Sequence, residues 1–263
     1  MIPQLLLDPY PIWVVFVGIV LACLGVFEIA YRLGRRGSGA EAEGDDGVGG
    51  VLVGSMLALL AFLLAVTMGF AADRFDSRRQ NVLDEANFIR TTFLRAGYLP
   101  EPYQTDVRAL LEEYVPLRIV EEGAPPDVLA ANIERSEEIQ VELWRQAELV
   151  ATELEQTDIT ALFVESVNDV ITIHEVRLTA GIYARVPDTV ILFLLILALI
   201  SVGMVGYGAG TAGKHHLLAA TLLILALGGT LTLVVDLDRP REGLLQVSQR
   251  PLMDLRVDLP TLP

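Results

Sequence analysis

Four apolar runs, at residues 12–30, 51–70, 190–207 and 217–235, constrain this chain more than any other feature. Each is close to the ~20 residues that a helix needs to cross a ~30 Å hydrocarbon layer. Within them the only charged residue is Glu28, near one end of the first run. Backbone polar groups surrounded by lipid must be satisfied inside their own segment, so runs of this kind are helical. The chain is 52% hydrophobic yet 20% charged, with mean hydropathy +0.49, a balance that fits apolar blocks alternating with polar ones. The resulting fold class is an all-α membrane protein with four transmembrane helices and the lipid bilayer as its first partner.

The first run does not read as a cleaved leader. No Lys or Arg precedes it, and Tyr31, Arg32, Arg35 and Arg36 come after it in place of a small-residue cleavage site. Four spans put both termini and the long segment 71–186 on one side, and the short connections 31–50 and 208–216 on the other. Near the span ends the first side carries nine arginines (Arg74, Arg78, Arg79, Arg90, Arg177, Arg185, Arg239, Arg241 and Arg250), the second only Arg32, Arg35, Arg36 and Lys214. The positive-inside rule then makes the termini and residues 71–186 cytoplasmic. With nineteen basic residues of which only Lys214 is a lysine, the composition points to a GC-rich bacterium and hence to its inner membrane.

The organisation expected is therefore residues 1–70 with the first two spans and a flexible linker at 34–50, a cytoplasmic helical domain at 71–186, the last two spans at 187–236, and a cytoplasmic tail at 237–263. The linker, GRRGSGAEAEGDDGVGG, is rich in glycine and charge.

GAGTAGKH, from Gly208 to His215, departs by one residue from the phosphate-cradling pattern GxxxxGK[ST]. The position that should supply a hydroxyl to Mg²⁺ is His215, no strand precedes the loop, and the topology turns it away from cytoplasmic nucleotide. Gly206, Gly208, Gly210 and Gly213 read instead as a tight turn with close helix approach, and no nucleotide is expected there. The single cysteine, Cys23, excludes an intrachain disulfide. His215 and His216 lack further ligands, so no metal and no cofactor are expected. No nucleophile is placed beside a base, and nothing suggests an enzyme or a nucleic-acid partner.

Residues 71–186 read as helical throughout. No proline separates the second span from Gly97, so one helix over 51–96 is expected, roughly 70 Å long at 1.5 Å per residue. A helix over about 102–122, kinked by Pro116, should come next. The third runs to about 155 and presents Leu129, Ile133, Ser136, Gln140, Leu143, Ala147, Val150 and Leu154 at 4-3-4-3 spacing, a stripe that faces a bundle. The last, about 159–185, leads through Pro187 into the third span, so that spans two and three both extend into the cytoplasmic bundle. This segment holds 22 acidic residues and 11 arginines, net −11 of the chain's −15. It is read as a solvated bundle face or as an acidic vestibule concentrating cations at a pore mouth.

The second span and its continuation, LLAFLLAVTMGFAADRFDSRRQNVLDEANFIRTTFLRAGYLPEPY, contain Arg74-Phe75-Asp76, Arg78-Arg79, Glu85-Ala86-Asn87, Leu94-Arg95 and Leu99-Pro100. With Asn168, His174, Arg177, Arg185 and Pro187, and with Leu237-Asp238-Arg239-Pro240, Gly243, Val247-Ser248 and Pro251-Leu252, these resemble the bacterial bestrophin-like domain family over about residues 51–256. Arg90 and Pro116 depart from the pattern. Residues 59–79 also resemble the second transmembrane helix of bestrophin channels, which are homopentamers with four spans per subunit and a pore lined by that helix. The resemblance implies a neck of Ala58, Phe62 and Val66, one face of a helix at i, i+4 spacing, where apolar rings can gate by dewetting. Asp236 and Asp238 are too few oxygen ligands to imply the calcium activation of animal bestrophins.

Asp73, Arg74, Asp76, Arg78 and Arg79 are read either as an ion-selecting ring or as interfacial charges paired along the helix while the arginines reach lipid headgroups. His174, with Arg177, is read as a pH-sensitive group or as a buried structural histidine. Glu28 is expected to pair with Arg32. The leading functional expectation is a homo-oligomeric, pentameric channel for monovalent ions, their sign left open between the acidic segment and the anion preference of animal bestrophins. The competing reading is a non-conducting membrane-anchored helical scaffold or signalling protein.

Overall fold

A computed structural model describes residues 10–37, 46–120, 124–182, 185–239 and 243–262. Eight α-helices succeed one another among these residues: α1 Ile12–Gly37, α2 Asp46–Ala96, α3 Tyr103–Arg118, α4 Pro126–Glu153, α5 Asp158–Ile182, α6 Asp188–Thr211, α7 Leu217–Asp238 and α8 Arg250–Asp258, closed by a single 3-10 turn at Leu259–Thr261. No strand occurs among the described residues. Four helices, α1, α2, α6 and α7, are long and apolar enough to cross a membrane, as expected from the four runs.

The helices divide into two compact units, Met1–Phe75 with Arg185–Gln246, and Asp76–Ala184 with Val247–Pro263. Helix α2 is one unbroken helix of 51 residues, contributing to the first unit through Phe75 and to the second from Asp76. Of the glycine-rich segment expected to be a linker, residues 34–37 complete α1 and 46–50 begin α2, while 38–45 lie outside the described residues.

In the first unit, Val15, Ile19, Cys23 and Phe27 of α1 pack with Leu194, Leu197, Ala198 and Val202 of α6, Ala220, Ile224 and Leu231 of α7, and Leu60 and Leu64 of α2. Helices α1 and α6 run in the same direction, and glycines let their backbones touch. A Cβ on Gly206 would lie 2.5 Å from the Phe27 carbonyl oxygen, and one on Gly210 would lie 2.2 Å from that of Tyr31. Small residues serve this purpose in lipid, where packing rather than water exclusion holds helices together. Gly208 faces open space and Gly213, at φ +66°, makes the turn. The segment read as a hairpin turn is thus partly helix: α6 continues through Thr211, and the turn is confined to residues 212–216.

At the other end of α7, buried Asp236 accepts hydrogen bonds from the backbone N–H of Leu244 (2.9 Å) and Leu245 (3.1 Å). This folds the chain back tightly, and Gly243 is required there because its φ is +137° and a Cβ would meet Asp236 Oδ1 at 2.2 Å. Buried Asp238 accepts from the N–H of Val186 (2.8 Å), and Arg239 donates to the carbonyl of Tyr10 (2.9 Å).

The Val186 bond accompanies a correction. Span three does not continue into the bundle as one helix: α5 ends at Ile182, residues 185–187 are non-helical, and α6 starts after Pro187. Proline lacks the N–H an uninterrupted helix needs and drives its predecessor to extended backbone. The freed N–H of Val186 turns to Asp238 instead.

The second unit packs Val82, Ala86, Ile89 and Phe93 of α2 with Val107, Leu111 and Tyr114 of α3, Ile139, Leu143 and Val150 of α4, Phe163 and Val170 of α5, and Leu252 and Leu255 of α8. The stripe expected on α4 is present: Ser136, Gln140, Leu143, Ala147 and Val150 are buried. Helix α3 stops at Arg118, earlier than expected, because Pro116 falls in its last turn and Ile119 is extended. The tail carries a helix that its sequence does not announce: α8 and the turn after it insert three leucines, Leu252, Leu255 and Leu259, into this core.

Candidate functional sites: the outer face of α2 and a buried polar node

Helix α2 has a buried and an exposed side within the first unit. Leu60, Leu64, Thr67 and Ala71 are buried, whereas Ala58, Phe62 and Val66 are exposed, Phe62 at 63% and Val66 at 40%. Spacing of four residues aligns these three on one face. Among the charges farther along the helix, Asp73, Asp76 and Arg79 are exposed, Arg74 is half-buried and Arg78 is buried. Arg78 therefore does not share the setting of the other four.

Glu28 pairs with Arg32 at 2.7 Å, as expected. Its second oxygen also meets His215 Nε2 at 3.3 Å, and the imidazole stands edge-on to Tyr31 with ring centres 4.2 Å apart. The Gly208 to His215 segment has its backbone donors in use: Ala212 N–H bonds Gly208, Gly213 N–H bonds Gly210, and Lys214 N–H bonds Ala209. Those amides are not arranged to cradle a phosphate.

The second unit holds a polar cluster built from α2, α3, α4 and α5, joined by Gln249 just ahead of α8. Glu85 of α2, fully buried, accepts from Arg118 Nε of α3 at 2.7 Å and forms its other ion pair with Arg177 of α5. Arg177 also donates to Gln249, which caps α8, at 3.3 Å. The Arg118 guanidinium lies 5.7 Å over the ring of Tyr114. Tyr114 in turn receives Gln140 Nε2 of α4 at 3.0 Å, leaving its hydroxyl proton for His174 Nδ1 at 3.2 Å. The His174 proton then sits on Nε2, which is buried without a hydrogen-bond partner among the described residues.

One carboxylate facing two guanidiniums keeps these charges in the interior, since each unpaired ion would cost several kcal/mol to desolvate. Burial lowers Arg177 to about 10, so it stays cationic at neutral pH, and burial lowers Arg118 as well. Burial, with the Arg118 charge beside it, pushes His174 down to about 3, so it is neutral there. The sequence singles out His174 and Arg177, but not the roles of Glu85, Tyr114 and Arg118. A signal existed: Glu85 interrupts the buried series Val82, Ala86, Ile89, and Arg118 ends the series Val107, Leu111, Tyr114.

The architecture is an α-helical membrane fold with four candidate spans. Over 94% of its length it superimposes on crystal structures of a bacterial bestrophin homologue from Klebsiella pneumoniae. A single-substitution variant gives TM-score 0.67 at 12% identity, covering 98% of that chain. A second variant gives 0.64 at 14% over 97% of its chain, and a further structure of this homologue gives 0.62 at 13% over 98%. No curated protein sequence matches the chain. The bestrophin-like domain model matches residues 17–252, and the chain belongs to that family.

Proposed function

We propose that the protein is a homopentameric ion channel of the bacterial inner membrane in which α2 of each subunit lines the pore. Ala58, Phe62 and Val66 form the neck, and Asp73, Arg74, Asp76, Arg78 and Arg79 stand at its inner mouth, where charges of both signs leave the sign of the monovalent ion open. The second unit and both termini are cytoplasmic, in keeping with the nine-to-four imbalance of basic residues. The carrying observation is the exposure of Phe62 at 63% on the same helix face as Ala58 and Val66, opposite a buried face already committed to the subunit's own core. Family membership and the shared fold support the reading.

Planar-bilayer recording of purified protein beside a Phe62→Ala variant tests it. The expected result is unitary currents whose amplitude changes in the variant, with reversal potentials in a salt gradient that give the sign of the permeant ion. Identical currents in both proteins would remove Phe62 from the pathway. Inserted, pentameric protein that stays silent across voltage and pH would favour the scaffold.

A further inference from the structure

Two helices of the second unit each present an apolar strip flanked by unmatched charge, of opposite sign. On α4, Val141 (71% exposed) and Trp144 share the outer face with Glu134, Glu137 and Glu148. Arg135 is already occupied by Glu113 at 2.7 Å, Glu138 at 2.8 Å and Glu142 at 3.4 Å. Glu134, Glu137 and Glu148 have no ion-pair partner among the described residues, and Arg145 lies at the edge of the strip. On α8, Met253 and Val257 (73% exposed) lie between Arg250 and Arg256, with Asp254 at the edge. Neither guanidinium is ion-paired among the described residues. Leu252 and Leu255 fix the opposite side of α8 in the core, so this face is left over from folding.

Exposure means different things in the two units. In the membrane helices an apolar side chain facing outward meets lipid or, on the Phe62 face of α2, the proposed pore. The second unit contains none of the chain's four long apolar runs, and there a strip of Val141 with Trp144, or of Met253 with Val257, faces water unless something covers it.

We propose that the α4 strip of one subunit docks on the α8 strip of its neighbour. Apolar side chains meet at the centre, Glu134, Glu137 and Glu148 face Arg250 and Arg256, and Arg145 faces Asp254 at the rim. The occupant is a second copy because each face supplies what the other lacks. A contact between two different patches is heterologous, the kind that builds a cyclic ring of more than two subunits when its rotation closes. Two short strips supply register and subunit order more than total affinity. The inference deepens the homo-oligomeric reading and rests on it.

Cysteine cross-linking is clean here because Cys23 is the sole native cysteine and is buried. Full-length Val141→Cys and Val257→Cys variants carrying different tags are co-expressed, treated with a short bis-maleimide in mild detergent, and weighed by native mass spectrometry. The expected product is a covalent dimer joining the two tags, absent when either variant is expressed alone, and diminished by Glu137→Arg and restored by adding Arg256→Glu. An oligomer without this product overturns the pairing but leaves the oligomer standing. Cross-linking of one variant to itself reveals a two-fold contact and also overturns it. A monomeric mass overturns the oligomeric reading and this inference together.

Discussion

Glu85 and Arg118, on helices α2 and α3, meet at 2.7 Å with their side chains 0% and 6% exposed, and Arg177 closes on the same carboxylate from α5. Removing the carboxylate charge would leave two guanidiniums in the interior with no counter-ion. Breaking a buried pair from one side typically costs about 3–5 kcal/mol. Glu85→Gln is therefore expected to lower the stability of the second unit by that amount, seen as faster limited proteolysis and a lower unfolding midpoint in detergent. An unchanged midpoint would mean that water reaches the node.

His174 makes stability depend on acid. Its folded value of about 3 lies below the ordinary 6.5, so between those values the unfolded chain takes up a proton that the folded chain refuses. Stability is full above about pH 6.5 and falls by roughly 1.4 kcal/mol per unit as pH drops toward 3. From pH 6.5 to 5, where most carboxylates remain ionised, the loss is about 2 kcal/mol. A His174→Phe variant should start less stable, having lost the Tyr114 bond, yet show a flatter profile over that window. Parallel profiles from guanidinium titrations at each pH would show that His174 does not titrate this way.

The spans, the long α2 helix and the α4 stripe were legible because each repeats a period or a hydropathy over many residues. The features that escaped depend on single residues. Pro187 ended a helix that the apolar pattern would have carried on, and Pro116 stopped α3 at Arg118 before its expected end. Nine-residue α8 is too short to announce itself by periodicity, and its core leucines sit among prolines and charges. The polar node was the largest omission: its members come from separate helices, and a carboxylate such as Glu85 reads as surface until its partners are assembled around it.

Gly210 and Gly208 are two residues apart on α6 and should respond oppositely to the same change. A methyl on Gly210 would strike the Tyr31 carbonyl, a backbone atom that cannot swing away, whereas nothing lies within 4 Å of one on Gly208. Overpacking of this sort costs about 1–3 kcal/mol, and helical Gly→Ala in open space gains roughly 0.5–1 kcal/mol. Gly210→Ala is expected to lower the thermal midpoint in detergent and Gly208→Ala to hold or raise it. Equal responses would argue against the close α1–α6 seam.

Leu60 and Phe62 divide stability from conduction on one helix. Leu60 is fully buried in the subunit's own core, and truncating such a residue to alanine costs about 2–5 kcal/mol. Phe62 takes no part in that core, so its truncation leaves the folded subunit nearly as stable. Its apolar bulk would matter only where equivalent side chains converge on an axis and hold back water. Leu60→Ala is thus expected to lower the thermal midpoint, with conductance unaltered in the fraction that stays folded. Phe62→Ala is expected to keep the midpoint within about 1 kcal/mol of the parent while changing unitary current. The reverse pattern, Phe62→Ala unfolding the protein without altering current, would place Phe62 in a packed interface and take the neck away from this face.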